Sequence, residues 1–427
     1  MNGNMLNQKS IQAVDRSLFS KQFVYPLYDS YCFSRIPDTI SQLLLGKSTQ
    51  PLPVDVVGGT WEKPDLVILF LIDGFGWEFF ERFASHYPFL SRYLDQGIAS
   101  KITSQFPSTT AAHVTTINTG LDVGQSGIYE WFYYEPLVDQ MIAPLLFSFA
   151  GDHRPNTLKK STIAPEQFYP KQTLYQKLKE QGVKSYVMLP EGIAHSPYST
   201  CLLRGAENIP FSELKEGLET VIKISQQPTS DPTYIYFYFG NIDAMGHRHG
   251  IYSTQFEDAV KECWTLLEQY FWQKMLKEKK KIATIVTADH GMVPVVPNRT
   301  YYLNQLFPDI AHSLKKNRNG KPLVPAGSCR DFFLHIEDAH LLSLKERLIQ
   351  QFQGVAEVYL TEDLIRKGLF GPHPSQQLTN RLGNLVILPY VDESVWWFEK
   401  HRFEQHFYAA HGGLTRAEME SIFLFHG

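Results

Sequence analysis

Asp289 and His290 stand side by side in ADHG, directly after an apolar run and before a glycine. A charged pair at the end of a buried segment is costly unless something pairs with it, so these residues need a partner. Asp243 and His247 lie four apart in NIDAMGHRHG. On a helical turn that spacing puts both on one face, which suits two ligands of one metal and equally an ordinary surface pair. Asp73 ends another apolar run, and His411 precedes two glycines that let a loop approach a site closely. Three carboxylates and three imidazoles without a thiolate suit Zn²⁺ or Mn²⁺, and six ligands suffice for two three-ligand sites with open positions. Two such ions can hold the attacking and leaving oxygens of a displacement at phosphorus.

A nucleophile for that chemistry is offered by residues 106–120, FPSTTAAHVTTINTG, where Thr109 and Thr110 stand at the opening of a predicted helix. A helix N-terminus presents unpaired N–H groups and partial positive charge, which bind phosphate and stabilise an alkoxide. The same residue types also serve simply as N-caps. A threonine alkoxide forms near neutral pH only with help, which a divalent ion and the helix terminus together supply.

The elements that must position these groups read as strands alternating with helices. Residues 66–72 (LVILFLI) are a seven-residue apolar run, as expected of a strand buried on both faces, and it delivers Asp73. Residues 234–240 lead to Asp243 and residues 282–288 lead to Asp289-His290; further strands are expected at 184–189, 331–336 and 384–388. Helical patterns cover 36–45, 75–94, 172–181 and 254–270. The alternation predicts a mostly parallel α/β sheet, and the three aspartates fall beyond the carboxyl ends of its strands, where such sheets bind ligands. Residues 1–20 read as a weakly ordered lead-in, and 127–170 and 292–325 as insertions capping the catalytic edge of a single catalytic domain spanning 1–427. The Lys277–Lys281 run reads as a solvated helix end.

Bulk properties exclude several classes. A net charge of −4 without a block of like charge argues against a nucleic-acid polymer or a membrane surface as partner. Cys32, Cys201, Cys263 and Cys329 are scattered and read as free thiols. No run of 18 apolar residues occurs, and the first twenty residues lack the apolar core of a signal peptide. A cytoplasmic location follows unless a non-classical route exports the chain. No feature sets an oligomeric state.

The ordered set Asp73-Gly74, FPSTT, NTG, DxxGH, ADHG and a final HGG resembles the alkaline phosphatase superfamily, in particular its type I phosphodiesterase and nucleotide pyrophosphatase branch. The resemblance spans residues 66 to about 424 and implies a three-layer alkaline-phosphatase-like α/β sandwich. It further implies that Asp73, Asp289 and His290 hold one metal, and Asp243, His247 and His411 the other. Gapless alignment of the family pattern FPTKTFPNHYSIVTG places the nucleophile at Thr110, with a phosphothreonine intermediate and a small phosphorylated substrate such as a nucleotide.

Two departures bear on the substrate. Ala111 follows the nucleophile where nucleotide-cleaving relatives tend to carry a stacking aromatic. Trp131 stands where an asparagine often contacts the phosphoryl oxygens. Tyr129 and Trp131 are candidates for a replacement aromatic wall, equally readable as a packed insert, and Arg330 is a candidate phosphate contact. His113 and His249 read as bystanders. Phosphonate hydrolysis and phosphomonoester hydrolysis share the same metal core and stay open, as does a catalytically silent metal-bound binding protein.

Overall fold

In the computed structural model, which describes residues 5–59, 62–228, 231–275 and 280–427, the run LVILFLI forms strand β1 (Leu66–Ile72), every residue of which is buried. Alternate side chains of a strand point to opposite faces. Leu66, Ile68, Phe70 and Ile72 enter one core, and Val67, Leu69 and Leu71 enter another. Each such side chain stabilises by ~1.5–3 kcal/mol, so the strand delivering Asp73 is firmly anchored.

The other main strands are β2 (Ile98–Thr103), β3 (Lys184–Pro190), β4 (Glu207–Phe211), β5 (Thr233–Phe239), β6 (Ile282–Thr287) and β7 (Glu420–His426). Their order is β2-β7-β6-β1-β5-β3-β4, and β7 alone runs against its neighbours. Helices Trp77–Phe83, Leu214–Ser225 and Thr254–Leu266 cover one face. Helices Ile36–Leu45 and Leu174–Glu180 cover the other, giving three layers. Because β1, β5 and β6 are parallel and in register, with Ile72 opposite Phe239 and Leu71 opposite Thr287, their carboxyl ends meet at one edge.

Several expectations need correction. The stretch 5–20 is not a loose lead-in: Gln8–Arg16 form a helix capped by Asn7, with Val14 fully buried against the sheet. Its apolar contacts are too few to stand out by period. The helical pattern at 75–94 breaks into Trp77–Phe83 and Pro88–Asp95, since proline suits the first turn of a helix but not its interior. The strands expected at 331–336 and 384–388 occur as Phe332–Leu334 and Leu385–Pro389. They belong to a separate four-stranded antiparallel sheet with Ala326–Gly327 and Ala356–Leu360. The excursion predicted at 292–325 therefore continues until β7 rejoins the main sheet. Most of the basic run at 277–281 lies outside the described residues. Among the described residues no helix is long and apolar enough to cross a membrane.

Candidate active site

Four chain segments converge at the carboxyl edge. Asp73 follows β1, and its backbone N–H donates to the Phe239 carbonyl of β5 at 2.9 Å. The Asn241–His249 helix, directly after β5, presents Asp243 and His247 one turn apart. Asp289 and His290 follow β6. His411 arrives through pairing of Val293–Pro294 with Ala409–Ala410. At Gly74, φ is +74° and a Cβ would lie 3.0 Å from the Asp243 Cβ, so only glycine lets these segments approach this closely. Thr110 opens the Thr110–Thr119 helix, with Thr109 at the N-cap.

Thr110 Oγ1 lies 3.2 Å from His290 Nε2 and 3.4 and 3.5 Å from the two Asp73 oxygens. His290 Nε2 is 3.5 Å from Asp73 and 3.3 Å from Asp289. Asp243 Oδ2 is 3.3 Å from His247 Nε2, and Asp243 Oδ1 is 3.6 Å from His411 Nε2. The ligand-type atoms fall into two overlapping groups, Asp73-Asp289-His290 and Asp243-His290-His411. The geometry thus gathers all six predicted ligand residues and Thr110, with His290 near both groups.

The hydrogen bonding favours a cation. Each imidazole turns Nδ1 to a backbone carbonyl: His247 to Ala409 at 2.8 Å, His290 to Gly291 at 3.0 Å and His411 to Ser108 at 2.9 Å. A carbonyl only accepts, so Nδ1 carries the proton, as in ligating histidines whose second nitrogen is fixed by the backbone. Burial, followed by the neighbouring imidazoles, pushes His290 well below the usual histidine range. Burial likewise lowers His411 to about 4. These two rings are therefore neutral, and their Nε2 lone pairs face carboxylate oxygens. Such contacts repel unless a proton or a metal ion lies between them.

The carboxylates agree. Asp289 Oδ1 accepts the backbone N–H groups of Gly74 and His290, each at 3.1 Å. Its Oδ2, like Asp243 Oδ1, is buried without a hydrogen-bond partner. Burial, then the charges of Asp289 and Asp243, holds Asp73 well above the usual carboxylate range, and burial is also the leading cause for Asp289. A bound cation reverses both effects. Orphaned oxygens, an all-O/N donor set and fixed imidazoles thus fit divalent metals.

The candidate substrate residues divide. Trp131 is 39% exposed and lines a cavity of about 340 Å³ together with Thr110 and His411. Ala111 is fully buried in the core and forms no part of that wall. Tyr129 is also core, stacked on Tyr133 at 5.4 Å, because the insertion folds back onto the second sheet. Arg330 is not a phosphate contact. Its guanidinium gives two hydrogen bonds to Glu418 and three to the carbonyls of Pro389, Tyr390 and Glu393, leaving no N–H free. His113 is buried, with Nδ1 donating to the Thr109 carbonyl at 2.7 Å, and His249 is exposed.

Three contributors escaped the sequence. The Tyr238 hydroxyl donates to Asp73 Oδ2; the alternation of tyrosines at 234, 236 and 238 was the available signal. Ser108 Oγ donates to the Gly413 carbonyl at 2.7 Å, fixing the turn after His411. Glu130, in the wall beside Thr109, is held above the usual range by burial.

Comparison with known proteins agrees with this arrangement. The fold is similar to that of murine ectonucleotide pyrophosphatase/phosphodiesterase 5, solved as an inactive threonine-to-alanine form in complex with AMP. The TM-score is 0.64 at 17% identity, covering 84% of this chain and 87% of that one. The human counterpart gives 0.62 at 18% identity, covering 84% and 87%. A family model described as type I phosphodiesterase / nucleotide pyrophosphatase matches residues 67–414. With that match spanning most of its length, the chain belongs to the type I phosphodiesterase / nucleotide pyrophosphatase family, hydrolases acting on phosphoester bonds.

Proposed function

We propose that the chain hydrolyses a small phosphodiester or pyrophosphate with two divalent metal ions and a covalent intermediate on Thr110. Asp73, Asp289 and His290 would hold one ion, and Asp243, His247 and His411 the other. Zinc suits the donor set best, and manganese suits it too. The observation that carries this reading is the set of buried carboxylate oxygens without hydrogen-bond partners, facing neutral imidazole nitrogens beside the Thr110 hydroxyl. When bound, the ions supply positive charge that lowers the hydroxyl's pKa and offsets charge developing on phosphorus.

The remaining work falls to the chain. Thr110 Oγ1 loses its proton and attacks phosphorus from the start of its helix, whose free N–H groups favour the developing negative charge. One ester bond breaks, leaving Thr110 esterified to phosphorus. Water then cleaves that bond and restores the hydroxyl. Ser108 and Tyr238 hold His411 and Asp73 in place throughout.

The murine relative supports this assignment, since exchange of one threonine for alanine goes with its inactive form, and its AMP supports a nucleotide-like small substrate. Trp131, Phe132, Trp396 and Phe407 in the larger cavity offer ring faces for stacking. Thr110→Ala is expected to abolish turnover of bis(p-nitrophenyl) phosphate, with two ions per chain retained by elemental analysis. Undiminished turnover in that variant would remove Thr110 as the nucleophile.

A further inference from the structure

Two cavities open on Thr110. The larger, about 340 Å³, is walled by Phe132, Trp396, Phe403 and Phe407, with the polar side chains of Glu130 and Glu404. The smaller, about 240 Å³, is walled by Leu145, Leu146, Leu189, Ile193, Leu203 and Tyr198. Among the described residues only three belong to both walls: Thr110, Asp243 and Trp131. The first two are the proposed nucleophile and a proposed metal ligand. The third has no role in the metal chemistry.

Trp131 suits a partition. Its backbone N–H is fixed by the Glu130 carboxylate, and its ring meets Phe132 edge-on at 6.3 Å. Its indole N–H makes no hydrogen bond to a described residue, and a side chain this large and apolar stays 39% exposed where the two cavities join. Glu130, its anchor, is 1% exposed and stands in the same cavity wall as Thr109, next to the nucleophile. The indole is therefore anchored beside the reacting threonine.

We propose that Trp131 divides the reaction site into two chambers and thereby sets which ester bond of an unsymmetrical phosphodiester is broken. This rests on the reading that Thr110 attacks phosphorus. In-line displacement breaks the bond opposite the attacking oxygen, so the chamber that each substituent occupies decides which one leaves. The smaller chamber has no charged side chain except Asp73 and Asp243 at its phosphorus end, so it takes an uncharged ring or chain. The larger chamber, with aromatic faces, the carboxylates of Glu130 and Glu404 and the Arg402 guanidinium, takes a ring bearing polar substituents. The Thr110 Oγ1–P bond forms, one P–O ester bond breaks, and the proton lost by the Thr110 hydroxyl passes through water to the departing oxygen. Water then cleaves the Thr110–phosphorus bond and releases the monoester of the retained substituent.

The test is the product ratio from phenyl 2-naphthyl phosphate, whose two leaving groups have similar acidity and give little intrinsic bias. The zinc-loaded wild type is expected to release one of phenol and 2-naphthol over the other by ~10-fold or more, a free-energy difference that a pocket of the wrong shape readily supplies. Trp131→Ala joins the chambers and brings the ratio to within about 3-fold of unity, while Trp131→Phe keeps the bias. Leu146→Trp, which narrows only the smaller chamber, shifts the ratio by about 5-fold or more and decides the matter if Trp131→Ala does not fold. Turnover without bias in the wild type, or a ratio unchanged by both Trp131→Ala and Leu146→Trp, overturns the proposal. Absence of any turnover by the zinc-loaded wild type overturns the phosphodiesterase reading and this proposal with it.

Discussion

Two buried charge clusters lie close together in this protein and are built on opposite plans. Arg330 and Glu418 are both fully buried, and the pair is complete. The guanidinium spends every N–H on Glu418 or on carbonyls, and Glu418 also accepts from Thr415 and from the Gly413 N–H. Burial raises the carboxyl, but the arginine charge and the hydrogen bonds from Arg330, Thr415 and Gly413 together outweigh it and hold Glu418 below the usual range. Asp73, Asp243 and Asp289 have no such counter-charge. The only basic side chains beside them, among the described residues, are imidazoles, burial pushes Asp73 and Asp289 up, and two oxygens are orphaned. One cluster finishes its own electrostatics; the other leaves carboxylates without a counter-charge, as the proposed metal site requires.

The contrast can be broken from either side. The largest effect is expected from Asp289→Asn, which should lower kcat on an aryl phosphodiester by on the order of 10³-fold. Its unfolding free energy in metal-free buffer at pH 8 should be no lower than that of the wild type; a large loss by urea titration would mean that the carboxylate is scaffold. Arg330→Ala should do the reverse. It leaves Glu418 buried and unpaired and should cost ~3–5 kcal/mol in the same titration.

A smaller effect concerns pH. In metal-free protein Asp73 and Asp289 titrate above their unfolded values, so the folded chain binds more protons. That stabilisation is complete below the unfolded carboxylate value of about 4. It is lost as pH rises through the folded value, pushed up to about 7 for Asp289. The metal-free melting temperature should therefore fall by ~2–4 °C between pH 5 and pH 8. Zinc-loaded protein should show the opposite slope, because protons compete with the metal. The smallest effect is that of Tyr238→Phe, which removes the donor to Asp73 and should weaken zinc binding about 10-fold in a competition titration.

The incomplete cluster was the more legible of the two. Asp73 and Asp289-His290 announce themselves because charge directly follows a fully apolar run, and Asp243-His247 because two ligand types recur one helical turn apart. Arg330 was a candidate phosphate contact, yet its partner Glu418 is 88 residues away in the chain. Tyr129 sits beside Trp131 in sequence but points into the core. Tyr238 reaches Asp73 only because β1 and β5 pair with Ile72 opposite Phe239, a register that no local pattern states. The same limit explains the strands at 332–334 and 385–389: their apolar pattern gives the element but not the sheet it joins. The excursion from the main sheet was legible as a departure from alternation. Its extent was not, since the second sheet looks locally like more of the first.

Whether metal completes the incomplete cluster is tested most directly by elemental analysis of chelator-stripped, zinc-reloaded protein. Two zinc ions per wild-type chain, falling to about one when Asp243 and His247 are both replaced by alanine, is the predicted result. Full phosphodiesterase activity from stripped protein that retains no divalent metal would contradict it.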